Sequence, residues 1–273
     1  MTDHPSFLRR MACSTVVTAL AFATSAGATV VEFQTVLGNF SVNLFDQTTP
    51  ATVTNFLDYV NNGAYTDSIV HRTEPGFVIQ GGGFSYDGSL PINSIVQNPA
   101  VVNEPELSNV RGTIAMAKIG GDPNSATNQW FISLADNTSV LDGQNGGFTV
   151  FGIVTGNGMD VVDAIAALPR FDLNLGSAFT TLPLRDYTDT AADPDADNFV
   201  LINAVVVTDT TVNTGANLLP PVNVVTNPPA PVPAPAPTPT SSGGGGGGSM
   251  GVVGLLGLGV CWVRRRRRGQ SRY

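Results

Sequence analysis

His71-Arg72-Thr73-Glu74-Pro75-Gly76-Phe77-Val78-Ile79-Gln80-Gly81-Gly82-Gly83 places one arginine, one amide and an apolar run on what reads as two strands joined by a Pro75-Gly76 turn. Extended backbone alternates its side chains, so Phe77 and Ile79 are expected on one face and Val78 and Gln80 on the other. Arg72 then arrives from the strand before the turn. The glycine triplet follows a strand but lacks a phosphate-binding lysine, which argues against a nucleotide site.

Upstream, Val31, Phe33 and Thr35 alternate, as do Phe40, Val42 and Leu44, on either side of Leu37-Gly38-Asn39. That pattern predicts a β-hairpin from Thr29 to Phe45. Thr49 followed by Pro50 reads as a helix cap with proline at the first helical position. Val53, Phe56, Leu57 and Val60 recur at helical spacing, and Asn62-Gly63 closes the helix. Strands are expected at about 69–74, 77–82, 111–117, 128–133 and 148–154, a second helix at about 158–167, and a last strand over 198–207. A mainly β fold follows, an antiparallel barrel closed on itself and capped by two α-helices, since closure removes exposed edges. Residues 169–197 form a long insertion before the last strand, of a length that is usually functional or disordered.

The two ends do not read as globular. Arg9-Arg10 precede an apolar stretch from Met11 to Ala23, and Ala26-Gly27-Ala28 supplies the small residues a signal peptidase requires. Residues 1–28 are therefore expected to be a signal peptide, with the mature chain beginning near Thr29. A transmembrane anchor is the alternative, for which the stretch is short. After a folded domain over 29–208, residues 209–248 read as a linker, with a polyproline spacer from Pro228 to Pro237 and a run of six glycines. Residues 249–273 carry a short apolar segment, Met250 to Val263, and the basic cluster Arg264 to Arg268. This tail resembles the glycine-glycine C-terminal sorting signals of exported bacterial proteins, which implies a sorting protease as partner. A permanent single-span anchor is the alternative, and its apolar length is short for a ~30 Å hydrocarbon core. The expected location is the periplasm or the cell surface.

Cys13 lies in the signal and Cys261 in the tail, so the folded part has no disulfide scaffold and no thiol chemistry. The net charge of −8 understates the acidity of that part. Between Thr29 and Gly248 the cations are Arg72, Arg111, Lys118, Arg170 and Arg185, and an acidic surface repels nucleic acid. A scarce cation inside an apolar motif marks Arg72 out. Asp193-Pro194-Asp195-Ala196-Asp197-Asn198 alternates carboxylates as a calcium loop does, but lacks the glycine and terminal glutamate of one, and reads as a solvated acidic turn.

The His71 to Gly83 stretch resembles the signature of the cyclophilins. The likeness continues, in family order, through Arg111-Gly112-Thr113-Ile114-Ala115-Met116-Ala117, Asn128-Gln129-Trp130-Phe131-Ile132, Leu141-Asp142-Gly143 and Phe148-Thr149-Val150-Phe151-Gly152. The resemblance implies an eight-stranded cyclophilin-like barrel and peptidyl-prolyl cis-trans isomerase activity with no cofactor and no metal. By the same matching, Arg72 is the donor to the proline nitrogen, Gln80 bonds a substrate carbonyl, and Phe77 grips the ring. Val78, Phe131 and Leu141 line the pocket with it. Ala117 and Lys118 are implied to bind substrate through main-chain groups, and Gln129 to hold backbone near the pocket or steady Arg72. His71 stands where the family tends to have histidine and is counted with the substrate-binding residues, although a lone histidine is more readily a structural residue.

Two departures bear on specificity. The loop from Leu141 to Phe148 is longer than usual, and Phe148 stands where many members place a histidine. Val140 replaces the tryptophan of cyclosporin-sensitive members, so weak cyclosporin binding is expected. The implied partners are proline-containing segments of exported proteins. A catalytically weak proline-binding module and a surface-displayed scaffold are the rival readings.

Overall fold

The computed structural model describes residues 28–212 and 218–227. The expected hairpin forms from β1 (Ala28–Thr35) and β2 (Gly38–Leu44), and is followed by α1 (Pro50–Asn61). Short strands β3 (Ser68–Ile69), β4 (Arg72–Glu74), β5 (Val78–Gly81), β6 (Phe84–Ser85) and β7 (Asn93–Ser94) come next. Then follow β8 (Thr113–Met116), β9 (Trp130–Ser133), the single turn α2 (Thr138–Leu141), β10 (Val150–Val154) and α3 (Gly158–Ala166). The hairpin strands β11 (Arg170–Phe171) and β12 (Leu182–Pro183) precede the long β13 (Leu201–Val212).

The fold is mainly β, but the sheet is an open series of eleven strands and not a closed ring of eight. Its order is β4-β5-β9-β8-β10-β2-β1-β13-β3-β6-β7, antiparallel and curled as a half-barrel. The strand expected over 69–74 divides in two. The Val70 amide donates to the Val200 carbonyl at 3.1 Å, whereas the His71 amide donates to the Gln80 carbonyl at 3.0 Å. The chain thus passes from one flank of the sheet to the other within two residues, which no alternation pattern reveals.

Inside the curl, Phe33, Phe40, Ile79, Ile114, Trp130 and Phe151 pack with Val53 and Phe56 of α1. Phe33 stacks on Phe40 at 4.8 Å and meets the edge of Trp130 at 5.2 Å. Each such side chain contributes about 1.5–3 kcal/mol when buried. The glycine triplet after β5 serves this packing. A Cβ on Gly82, whose φ is +78°, would lie 2.6 Å from the Asn128 carbonyl and 2.7 Å from Trp130.

At the start of α1, Thr49 occupies the cap position but its side chain makes no capping bond. Glu104 takes that role from a distant loop. Its carboxylate accepts the Ala51 and Thr52 amides at 3.2 and 2.9 Å and the Thr52 hydroxyl at 2.8 Å, placing negative charge at the positive end of the helix.

The 169–197 segment is folded. Its β11–β12 hairpin forms a separate small sheet, and Phe179, Leu182 and Leu184 build a satellite core with Ile69, Tyr86 and Phe199. Part of the expected linker also belongs to the packed unit. β13 runs through to Val212, and residues 218–227 lie back along 105–109, with Ser108 donating to the Pro221 carbonyl at 2.8 Å and Asn223 to the Glu106 carbonyl at 2.9 Å. The signal, the proline and glycine runs, the basic tail and both cysteines lie outside the described residues, apart from Ala28 in β1.

Candidate active site

β4 and β5 place Arg72 directly opposite Gln80 in antiparallel register. The turn between them closes through the Phe77 amide, which donates to the Glu74 carbonyl at 3.0 Å, and Gly76 takes a φ of +70° that glycine supplies freely. Phe77 therefore belongs to the turn and is released from strand alternation. It faces the same cavity as Val78 and Gln80, while Ile79 enters the main core, so the expected pairing of Phe77 with Ile79 does not occur.

That cavity has a volume of about 210 Å³. Phe77, Val78, Phe131, Leu141 and Phe148 form its apolar wall, and Arg72, Gln80, Ala117 and Lys118 its polar side. Phe131 and Phe148 meet edge to face at 5.6 Å, a favoured aromatic geometry. A neighbouring hollow of about 360 Å³ shares Gln80, Ala117 and Lys118 and adds Gln129. The apolar wall is a cluster distinct from the interior core, built with Phe45, Leu107, Ala115 and Val150.

The polar side is a connected row. The Arg72 Nη1 donates to the Gln80 Oε1 at 3.3 Å, and the Gln80 Nε2 donates to the Gln129 Oε1 at 2.9 Å. Gln129 thus steadies the partner of Arg72, and its main-chain carbonyl accepts the Ala117 amide at 2.9 Å. A Cβ on Gly83 would lie 2.8 Å from the Gln129 side chain, so the last glycine of the triplet makes room for this row.

Lys118 does more than its main chain suggests. Its ammonium donates to the carbonyls of Gly147 (2.6 Å) and Asn145 (2.9 Å) and to the Asn103 Oδ1 (3.2 Å), and it lies 4.8 Å from the centre of the Phe148 ring. Burial lowers its pKa to about 8, with Asp122 pulling weakly the other way. The long loop is held from both sides, since Asn109 donates to the Asp142 carboxylate from both its amide groups, at 2.8 and 2.9 Å.

His71 does not line the cavity. It is buried against the edge-on ring of Phe84 at 4.9 Å, and burial together with the Arg72 charge lowers its pKa to about 4, so it is neutral near pH 7. All the other expected site residues border one of the two hollows. Sequence reading missed Gln144 in the cavity wall, the Lys118 ammonium and Glu74, which pairs with Arg72 at 3.4 Å. For Glu74 the signal was available, because it sits two residues after Arg72 on the same face of a strand.

The family described as cyclophilin type peptidyl-prolyl cis-trans isomerase matches residues 30–179. Peptidyl-prolyl cis-trans isomerase A of Dickeya dadantii is 44% identical over 158 residues, covering 56% of this chain and 80% of the relative. Peptidyl-prolyl cis-trans isomerase B of Escherichia coli is 42% identical over 142 residues, covering 50% of this chain and 83% of its own. A solved cyclophilin type isomerase of Cryptosporidium parvum aligns with a TM-score of 0.49 at 24% identity, covering 67% of this chain and 98% of that one. With the family match spanning more than half its length, the chain belongs to the cyclophilin-type peptidyl-prolyl cis-trans isomerases, and its activity is rotation of the peptide bond before proline.

Proposed function

We propose that Arg72, Gln80 and Phe77 are the catalytic residues, that Val78, Ala117, Lys118, Gln129, Phe131, Leu141 and Phe148 bind the peptide, and that the enzyme assists folding of exported proteins. The observation that carries the site assignment is the guanidinium of Arg72 at the edge of a small apolar cavity. Rotation about a peptide bond faces a barrier of ~18–20 kcal/mol because conjugation stiffens the C–N bond. As the bond twists, the proline nitrogen loses conjugation and becomes a hydrogen-bond acceptor. A donor aimed at that nitrogen favours the twisted state over either planar one, which is what lowers a barrier.

Each part has a stated task. Phe77, Val78, Phe131, Leu141 and Phe148 hold the ring. Arg72 donates to the nitrogen. Gln80 gives one amide hydrogen to Gln129 and offers the other to the substrate carbonyl before proline. The Ala117 amide is engaged by Gln129, so its contact with substrate runs through its carbonyl. His71 supports this row from behind.

Export is supported by the sequence of small residues ending at Ala28. The Thr29 amide donates to one oxygen of Asp46 and its hydroxyl to the other, both at 2.8 Å. Cleavage after Ala28 turns that amide into an ammonium facing the same carboxylate. The glycine-basic tail is then a sorting signal or an anchor at the membrane. Val140, 50% exposed on α2 beside Leu141, offers cyclosporin no indole, and weak binding follows; tight inhibition would contradict it.

The test is to express the full chain in an exporting bacterium, sequence the mature N-terminus, and follow refolding of a proline-limited exported protein. The reading expects Thr29 as first residue and a faster slow phase. An uncut chain, or a slow phase that Arg72→Ala accelerates equally, would overturn it.

A further inference from the structure

Arg72 is gripped from two sides, by Glu74 and by Gln80, and the Glu74 grip is braced by the 169–197 segment. Glu74 lies two residues along β4, on the same face as Arg72, and its Oε1 stands 3.4 Å from the Arg72 Nη2. The same oxygen accepts the Thr181 hydroxyl at 3.2 Å. Thr181 is fixed in turn, because its carbonyl accepts the Thr73 amide at 3.0 Å and it is flanked by Phe179 and Leu182, both buried in the satellite core. Phe179 also packs against the ring of His71, the residue before Arg72, at 6.3 Å. On the other side the guanidinium meets Gln80 and, through it, Gln129.

The result is a row running from Thr181 through Glu74, Arg72 and Gln80 to Gln129. An arginine is long and rotamer-rich, and an electrostatic donor is effective in proportion to how little it must reorganise when the transition state forms. One of its five donors is hydrogen-bonded to Gln80 and another stands in the ion pair with Glu74, which orients the fork while leaving donors for a substrate nitrogen. The pair with Glu74 is about a third exposed on each partner, so it contributes little to folding stability. Its physical consequence is orientation.

We propose that the 169–197 segment is a positioning device for Arg72, acting through Thr181 and Glu74, and that it raises turnover without changing peptide affinity. Glu74 and Thr181 are positioning residues for the rotation step. The inference rests on Arg72 being the donor to the proline nitrogen.

The test measures kcat and KM by exchange spectroscopy on a prolyl peptide for the full chain carrying Glu74→Gln, Thr181→Val, Arg72→Ala, and Arg72→Ala combined with each of the first two. Both single replacements preserve side-chain size, and thermal melts confirm that each variant is folded. Glu74→Gln is expected to lower kcat about three- to ten-fold with KM unchanged, and Thr181→Val to lower it about two- to three-fold. In the Arg72→Ala background both effects should vanish, which a merely structural role would not do. Unchanged kcat in Glu74→Gln, or losses of full size in the Arg72→Ala background, would overturn the inference while leaving Arg72 in place. A parental rate in Arg72→Ala alone would remove the assignment of Arg72 and this inference with it.

Discussion

Lys118 shows how one side chain can couple a loop to a pocket. Its ammonium holds the carbonyls of Asn145 and Gly147, and burial lowers its pKa to about 8. Above that pH it becomes neutral and its hold on the loop weakens. KM for a prolyl peptide should therefore rise between pH 7 and pH 9.5, and Lys118→Met should show a raised KM without that pH dependence. Stability responds with the opposite sign. The folded pKa lies below the ordinary lysine value, so between about pH 8 and about pH 10.4 the unfolded chain binds more protons and stability rises with pH. A melt that falls over that range would contradict the assignment. His71 acts in the acid range. Its folded pKa of about 4 lies below the ordinary histidine value, so its contribution is present above about pH 6.5 and is lost as pH falls toward 4, amounting to about 3 kcal/mol. His71→Leu should flatten the pH dependence of denaturant unfolding across that window.

Among the elements, residues 218–227 act as a strap across the base of the long loop. Asn223 is fully buried, donates from its side chain to the Asp142 carbonyl at 2.9 Å, and accepts the amides of Val225 and Thr226 at 3.0 and 3.3 Å. Asp142 follows Leu141 of the pocket wall. Asn223→Ala leaves these groups without partners and should cost about 2 kcal/mol in unfolding free energy, read by chemical denaturation, and should raise KM by loosening Leu141 and Phe148. An unaltered midpoint would show the strap to be incidental. The strap was illegible in the sequence because it lies in a Thr-, Asn- and Pro-rich stretch with no periodicity. Strong alternation did reveal β1 and β2, and helical spacing revealed α1. Of the local expectations that failed, one yielded to a distant partner and one to a neighbouring turn. Thr49 yields its capping role to Glu104, some fifty residues away, and Phe77 leaves the alternation because the Pro75-Gly76 turn extends to it.

For the whole molecule, the motif blocks revealed which residues meet, and geometry revealed how they are held. Arg72, Phe77, Gln80, Phe131 and Leu141 come from three strands, the turn between two of them and a helical turn, and their convergence on one cavity was legible only through the resemblance. The Lys118 contacts and the link from Glu74 to Thr181 were not, since each depends on a segment that lies far along the chain. The closed eight-stranded ring was expected because strand counting has no access to the division of 69–74, where the sheet opens. The central claim, that a fixed guanidinium beside an apolar cavity drives the rotation, is tested most directly by the cis-trans exchange rate of an Ala-Pro reporter peptide with the full chain and with Arg72→Ala. A rate lowered about 10²- to 10³-fold in the variant, with the fold intact, is the predicted result. A folded Arg72→Ala protein that catalyses at the parental rate would contradict it.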